Sequence, residues 1–156
     1  MQWYLDNKGR LRIEVGKFER NGVNYHLCKD DLGNLLWNGT LSSHGHYHNN
    51  VSIVYPEHFP FEQIRIYILG PQLPMINNHI HGDGSICVMR PEEWNPNWTG
   101  YTMYLKAMEF LDDYYSGSMS STYIPPLPVS PILSNRNDRG QSGIIGFIKE
   151  VFRPPW

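Results

Sequence analysis

The chain predicts an α+β fold, an antiparallel sheet followed by one long helix. Three observations carry this: short runs that alternate polar and apolar residues, turn-forming residues between them, and a single stretch at helical spacing. Val23 to Cys28 is a short strand, broken by Asp30-Asp31-Leu32-Gly33-Asn34. Leu35 to Leu41 (LLWNGTL) is the next, ended by a polar turn at Ser42 to His46. Tyr47 to Tyr55 carries Val51, Ile53 and Tyr55 at period two, and Ile64, Ile66 and Ile68 repeat the pattern after Pro56 to Phe61. Short loops between consecutive strands make a four-stranded antiparallel meander the economical topology.

Before the meander, Arg10 to Phe18 (RLRIEVGKF) alternates, and Asp6-Asn7-Lys8-Gly9 is turn chemistry. Residues 1–20 are therefore read as extra N-terminal strands. After it, Gly70 to Gly100 has no sustained period and is long for a loop in a compact domain, which marks it as functional. A helix follows, with Tyr101, Tyr104, Leu105, Met108, Leu111 and Tyr115 on one face and Gly117 at its end. Ile124-Pro125-Pro126-Leu127-Pro128 is extended, since proline fixes the backbone. A C-terminal helix starts near Ser142 and carries Ile144, Ile145, Ile148, Val151 and Phe152 as its apolar stripe. The whole chain, 1–156, reads as one domain with a core at about 23–116 and a C-terminal strap and helix over 117–156.

Composition narrows the function classes. Hydrophobic residues are 40% and aromatics 13%, which places the chain with packed domains rather than disordered ones. A net charge of −2 gives no basic surface for nucleic acid or anionic membrane. No apolar stretch approaches the roughly 18 residues of a membrane span. The first residues lack a charged leader before an apolar run, so no signal peptide is expected. Cys28 and Cys87 do not make a disulfide framework, and a reducing, cytoplasmic setting suits two free thiols.

Four ordered segments give the chain a resemblance. They are Leu35-Leu36-Trp37-Asn38-Gly39-Thr40-Leu41; Tyr47 to Phe61 (YHNNVSIVYPEHFPF); Asn77 to Val88 (NNHIHGDGSICV); and Trp94-Asn95-Pro96, seven residues after Cys87 and before the long helix. Together they resemble the ubiquitin-conjugating enzyme family. That family has a Trp-containing second strand, a Phe-Pro-x-x-Tyr-Pro-Phe turn, an active-site stretch from His-Pro-Asn to Ile-Cys, and a Trp-x-Pro before a cross-over helix. The resemblance covers roughly residues 23 to 116. It implies a ubiquitin-conjugating-type fold, no cofactor, and Cys87 as a nucleophile that forms a thioester and releases it to an amine. A cysteine thiolate is a strong nucleophile, which agrees with that role. The turn Gly82-Asp83-Gly84-Ser85 is expected to lift Cys87 to the surface. Cys28, between strand residues, is expected to be structural.

The chain departs from the family in three places. Asn77, Asn78 and His79 stand where the family has His-Pro-Asn. The family's Asn supports the active-site loop and can hydrogen-bond the oxyanion. His79 could donate such a bond or support the loop, which is the favoured reading, or serve as a base. His81 is expected to point the other way. Asn77, Asp83 and Trp94 are supporting candidates. Asp83, Asp112 and Asp113 are the carboxylates that could help an acceptor lysine lose its proton. The second departure is the expected strands at 1–20, where the family has a helix that contacts activating enzymes and ligases. The third is the region after Gly117, which does not match the family's usual two helices.

These departures resemble the bacterial branch of anti-phage operons. There, conjugating-type proteins act on a cGAS-like nucleotidyltransferase in cyclic-oligonucleotide-based signalling (CBASS), or on a bacterial ubiquitin-like protein. Partners implied are one of those acyl donors, an activating-type enzyme and target-protein amines. The missing activating-enzyme surface favours the signalling class. Alternatives left open are a non-catalytic module of the same fold, a zinc site built on His79, His81 and Cys87, and a cysteine hydrolase pairing Cys87 with a histidine.

Overall fold

The N-terminal segment departs most from the expectation. The computed structural model describes residues 2–43, 47–73, 75–76, 79–117 and 123–124, and residues 2–20 hold no strand. A short helix, α1 (Trp3–Asp6), leads into α2 (Lys8–Arg20). Leu11, Ile13 and Val15 fit a strand, but Leu11, Glu14, Val15 and Phe18 fit a helix, and those four are the buried residues of α2. Ile13, apolar on the strand reading, is 48% exposed. Asn7, read as a turn residue, caps the helix, its side chain accepting from the Arg10 N–H at 3.0 Å. The core therefore begins well before residue 23: Trp3, Tyr4, Leu11, Val15 and Phe18 all belong to it.

The meander is as the sequence predicts. Strands β1 (His26–Lys29), β2 (Leu35–Ser43), β3 (Tyr47–Val54) and β4 (Arg65–Gly70) pair consecutively and antiparallel. A two-residue strand β5 (Met75–Ile76) precedes β6 (Ser85–Ile86), which pairs antiparallel with β4 and completes a five-stranded sheet. After β6 come a 3-10 turn at Pro91–Glu93 and the long helix α3 (Gly100–Ser116), which ends at Gly117. The last described strand, β7 (Tyr123–Ile124), pairs with β5. The strap from Pro125 onward and the helix expected after Ser142 lie outside the described residues. The mixed α+β class stands, and no helix among the described residues is long and apolar enough to cross a membrane.

Strand parity sorts the sheet into two faces. Trp37, Leu41, Val51, Ile53, Ile66 and Ile86 point inward and share one core with Met103, Ala107, Phe110 and Leu111 of α3. The buried stripe of α3 is thus rotated from the expected one. Leu105 and Tyr115 are exposed, while Gly100 and Ala107 are buried, because small residues let the helix approach closely. Tyr101, Tyr104 and Met108 pack against the core from the flank.

One buried carboxylate ties these layers. Glu14 of α2 is 1% exposed. Its Oε2 accepts from the Tyr55 hydroxyl at 2.7 Å and from the Gly100 N–H at 2.7 Å, and its Oε1 accepts from Arg10 Nε at 2.8 Å. Tyr55 in turn accepts from the Trp37 indole at 3.0 Å. Arg10 continues outward, donating to the Pro96 carbonyl at 3.0 Å and to the Trp98 carbonyl. The first residue of α3 sits so close that a Cβ on Gly100 would lie 2.3 Å from the Tyr55 hydroxyl oxygen.

Burial pushes the Glu14 carboxyl above its usual value, and the bonds from Gly100, Tyr55 and Arg10 only partly oppose that. A raised carboxyl favours folding fully below its ordinary value near 4.5, and that contribution is lost as pH rises through the raised one. Glu14→Ala is expected to cost about 3 kcal/mol in urea unfolding, since it strands Arg10 and two donors. The wild-type advantage over Glu14→Gln should shrink between acid and neutral pH, and a pH-independent gap would contradict the assignment. Gly100→Ala should destabilise by about 1–3 kcal/mol through overpacking against Tyr55.

Candidate functional site

Cys87 sits at the end of a small hairpin. Ile80 and Ile86 form an antiparallel bridge, the Cys87 N–H donates to the His79 carbonyl at 2.8 Å, and the His81 N–H donates to the Ser85 carbonyl at 2.8 Å. The turn closes through Gly84, whose N–H donates to the His81 carbonyl at 3.0 Å and whose φ of 84° favours glycine. Asp83 braces the turn, its Oδ1 accepting from both the N–H of Ser85 at 2.9 Å and its hydroxyl at 2.6 Å. Burial works to raise the Asp83 carboxyl, but these two bonds and the charges of Arg65 and His81 outweigh it and hold it below its ordinary value.

The hairpin register decides which side chains face Cys87. Ile80 and Ile86 are buried and root the hairpin in the core. His79 stands directly across from Cys87, a position at which Cβ atoms of a regular ladder lie about 4.5–5.5 Å apart. His81 flanks Ile80 on the other side, two residues from His79, so the two histidines share the outward face. The expectation that His81 points the other way is thus corrected: residues one apart alternate, and residues two apart do not.

That outward face opens onto a groove of about 950 Å³ along the side of the sheet away from α3. Its floor is the outward row of β3 and β4, including Ser52, Val54, Arg65 and Tyr67. Phe61 and Leu69 supply exposed apolar walls, with Phe61 at 80% exposure. Cys87 lines it at the hairpin end, and His81, Asp83 and Trp94 line it too. His79 does not line this groove.

The segment after Cys87 is held by its aromatics. The Cys87 thiol donates to the Met89 carbonyl at 3.3 Å. Trp94 donates from its indole nitrogen to the Pro60 carbonyl at 2.8 Å and packs near Phe59 and Trp98. Trp94 is therefore a wall of the site, as its spacing from Cys87 suggests. Asn77 lies outside the described residues. Asp112 lies apart on α3, accepting from the Tyr47 hydroxyl at 2.8 Å, and neither it nor Asp113 lines the groove. Among the described residues no group of three or more His, Cys, Asp or Glu is gathered as a metal ion would need, so His79, His81 and Cys87 do not form the zinc site considered above. Sequence reasoning missed Arg65 and Tyr67, whose only signal was their parity in β4.

Compared with known proteins, the sequence matches no family model and no curated relative.

The two thiols differ in setting. Cys28 is half-buried, accepts from Asn38 at 3.6 Å, and has its thiol pushed up, first by burial, against the smaller opposing effect of that bond. Cys87 is also half-buried but opens to the groove. Limiting iodoacetamide at about pH 7.5 should therefore alkylate Cys87 before Cys28, read by peptide mass mapping. Faster labelling of Cys28 would contradict this account of the two environments.

Proposed function

We propose that this protein is a cysteine acyl carrier of the ubiquitin-conjugating type, acting in bacterial anti-phage defence. In this reading Cys87 takes the C-terminal acyl group of a ubiquitin-like protein or a cGAS-like nucleotidyltransferase as a thioester. The Cys87 thiolate attacks the carbonyl carbon of a donor C-terminus already held as a thioester on an activating-type enzyme, that enzyme's thiolate leaves, and an amine on a target later displaces Cys87. The observation that carries the proposal is the position of the thiol. It lines an open groove, at the end of a hairpin, between a four-stranded meander and a long helix in the chain. That order is the one the resemblance implies.

Helix α2 adds to the case. A helix stands where the family has one, so the argument against an activating-type partner, which rested on N-terminal strands, no longer applies. With it goes the preference for the signalling class, and both acyl donors remain within the proposal. In this reading His79, which stands across the hairpin from Cys87, gives loop or oxyanion support.

The test is a non-reducing gel of the protein mixed with proteins encoded beside it. A thiol-sensitive adduct is expected, converted to a thiol-resistant ester by Cys87→Ser and absent with Cys87→Ala. No adduct with any such partner would sink the acyl-carrier reading.

A further inference from the structure

Aminolysis of a thioester has a proton to dispose of, and the groove holds a side chain suited to it. A neutral amine that attacks the thioester carbonyl forms a tetrahedral intermediate with a positively charged nitrogen. That nitrogen must lose a proton before the C–S bond breaks and the Cys87 thiolate leaves. We propose that His81, held by the Asp83 turn, is the base that takes this proton.

The proposal rests on the acyl-carrier reading and stands on geometry. His81 and Cys87 line the same groove, so an acceptor lying in it meets both. The hairpin places them on one face, with Ser85 directly opposite His81 and Cys87 the next outward residue. The His81 backbone is fixed on both sides, its N–H bonded to Ser85 and its carbonyl accepting from Gly84. Its side chain stays exposed to an incoming acceptor. The charged groups that share the groove with it are Asp30, Glu62, Arg65 and Asp83. Of these, Asp83 is on the same turn, and the two groups interact electrostatically. An ionised carboxylate there stabilises the imidazolium that forms on proton transfer, and the two Ser85 bonds, with Arg65 at 3.8 Å from Asp83 Oδ2 as a smaller aid, favour that ionised form. His79 stands closer to Cys87 in register but outside the groove, which suits it to support rather than to acceptor chemistry. The imidazole is also the side chain able to exchange protons near neutral pH.

The step balances without a further reactant. The amine nitrogen forms a bond to the acyl carbon, His81 receives the nitrogen's proton, the C–S bond breaks, and the electron pair leaves on Cys87. The imidazolium then returns its proton to the thiolate or to water.

The experiment loads Cys87 of the full chain chemically, by exchange with a glycine-terminated peptide thioester, and follows discharge to free L-lysine and to hydroxylamine. The weakly basic hydroxylamine nitrogen sheds its proton to water unaided. In His81→Gln, discharge to lysine should fall roughly ten- to a hundredfold while discharge to hydroxylamine stays within about twofold. The difference on lysine is the advantage that His81 gives the wild type. Asp83→Asn should lose part of the same advantage. Equal lysine discharge by wild type and His81→Gln would overturn the proposal. So would a parallel loss with both nucleophiles, which would read as a damaged site. If Cys87 accepts no acyl group from the peptide thioester, the acyl-carrier reading falls, and this inference with it.

Discussion

The Glu14 carboxylate is withdrawn from water at the point where α2, the strand pair β2–β3 and the start of α3 meet. A carboxylate so placed costs several kcal/mol unless it is compensated, and here three donors from three parts of the chain converge on it. The compensation works only if all three parts are in place. Tyr55 must sit at the end of β3 with Trp37 behind it, α3 must begin at Gly100, and Arg10 must face Glu14 one helical turn earlier. Arg10 then carries the constraint outward, since its guanidinium holds the carbonyls of Pro96 and Trp98. The segment after Cys87 is thus fixed at both ends: at Trp94 by Pro60 and at residues 96–100 by the Glu14 network. The wall of the groove that Cys87 lines is thus tied to a buried acid of α2.

Strand parity does the rest of the positioning. The β4–β6 register pairs Ile66 with Ile86 and Tyr67 with Ser85, so isoleucines face the core while Tyr67 and Ser85 face the groove. Cys87, one residue beyond Ile86, takes the groove side. A one-residue slip would bury the thiol and expose an isoleucine, an exchange the core resists. The turn at Gly84 and the Asp83–Ser85 bonds act on the same register from the other end. The site therefore depends on a two-residue strand only because both sides of that strand are pinned.

How far the sequence discloses this depends on how many periodicities a segment satisfies. From residue 35 to 70 one period fits, and the strands fall where alternation puts them. Over residues 11 to 15 two periods fit, and Phe18 is the residue that separates them, since it continues the helix stripe and breaks the strand one. Glu14 was hidden for the same reason. On a strand it faces solvent, and on a helix it lies in the buried stripe, where a carboxylate needs partners that only tertiary structure supplies. The rotation of α3 has a similar cause: its large residues drew attention, while the closest contact runs through Gly100 and Ala107. Cys87 and Trp94 stood out as candidates because their neighbours form a spaced pattern. His81 did not, because the role proposed for it depends on a groove whose floor comes from β3 and β4.

The two cysteines show why residue type alone assigns nothing. Cys28 pairs with Leu36, Leu36 with Val54, and Val54 with Arg65, so Cys28 heads a row across the outer face of the sheet. The β4–β6 register, continued by one residue, puts Cys87 at the other end of that row, four strand spacings or roughly 19 Å away. That separation is far beyond disulfide reach. Both thiols lie on one face, both are half-buried, and each has a backbone carbonyl for its proton. What differs is the end of the row. Cys28 ends beside Asn38 in the ordinary environment of a strand, where burial favours the neutral thiol. Cys87 ends on a hairpin where Asp83, His81 and Trp94 gather around an open groove. The same side chain is a packing residue at one end and a candidate nucleophile at the other. The difference comes from the irregular chain after Gly70, the part of the sequence with no period at all.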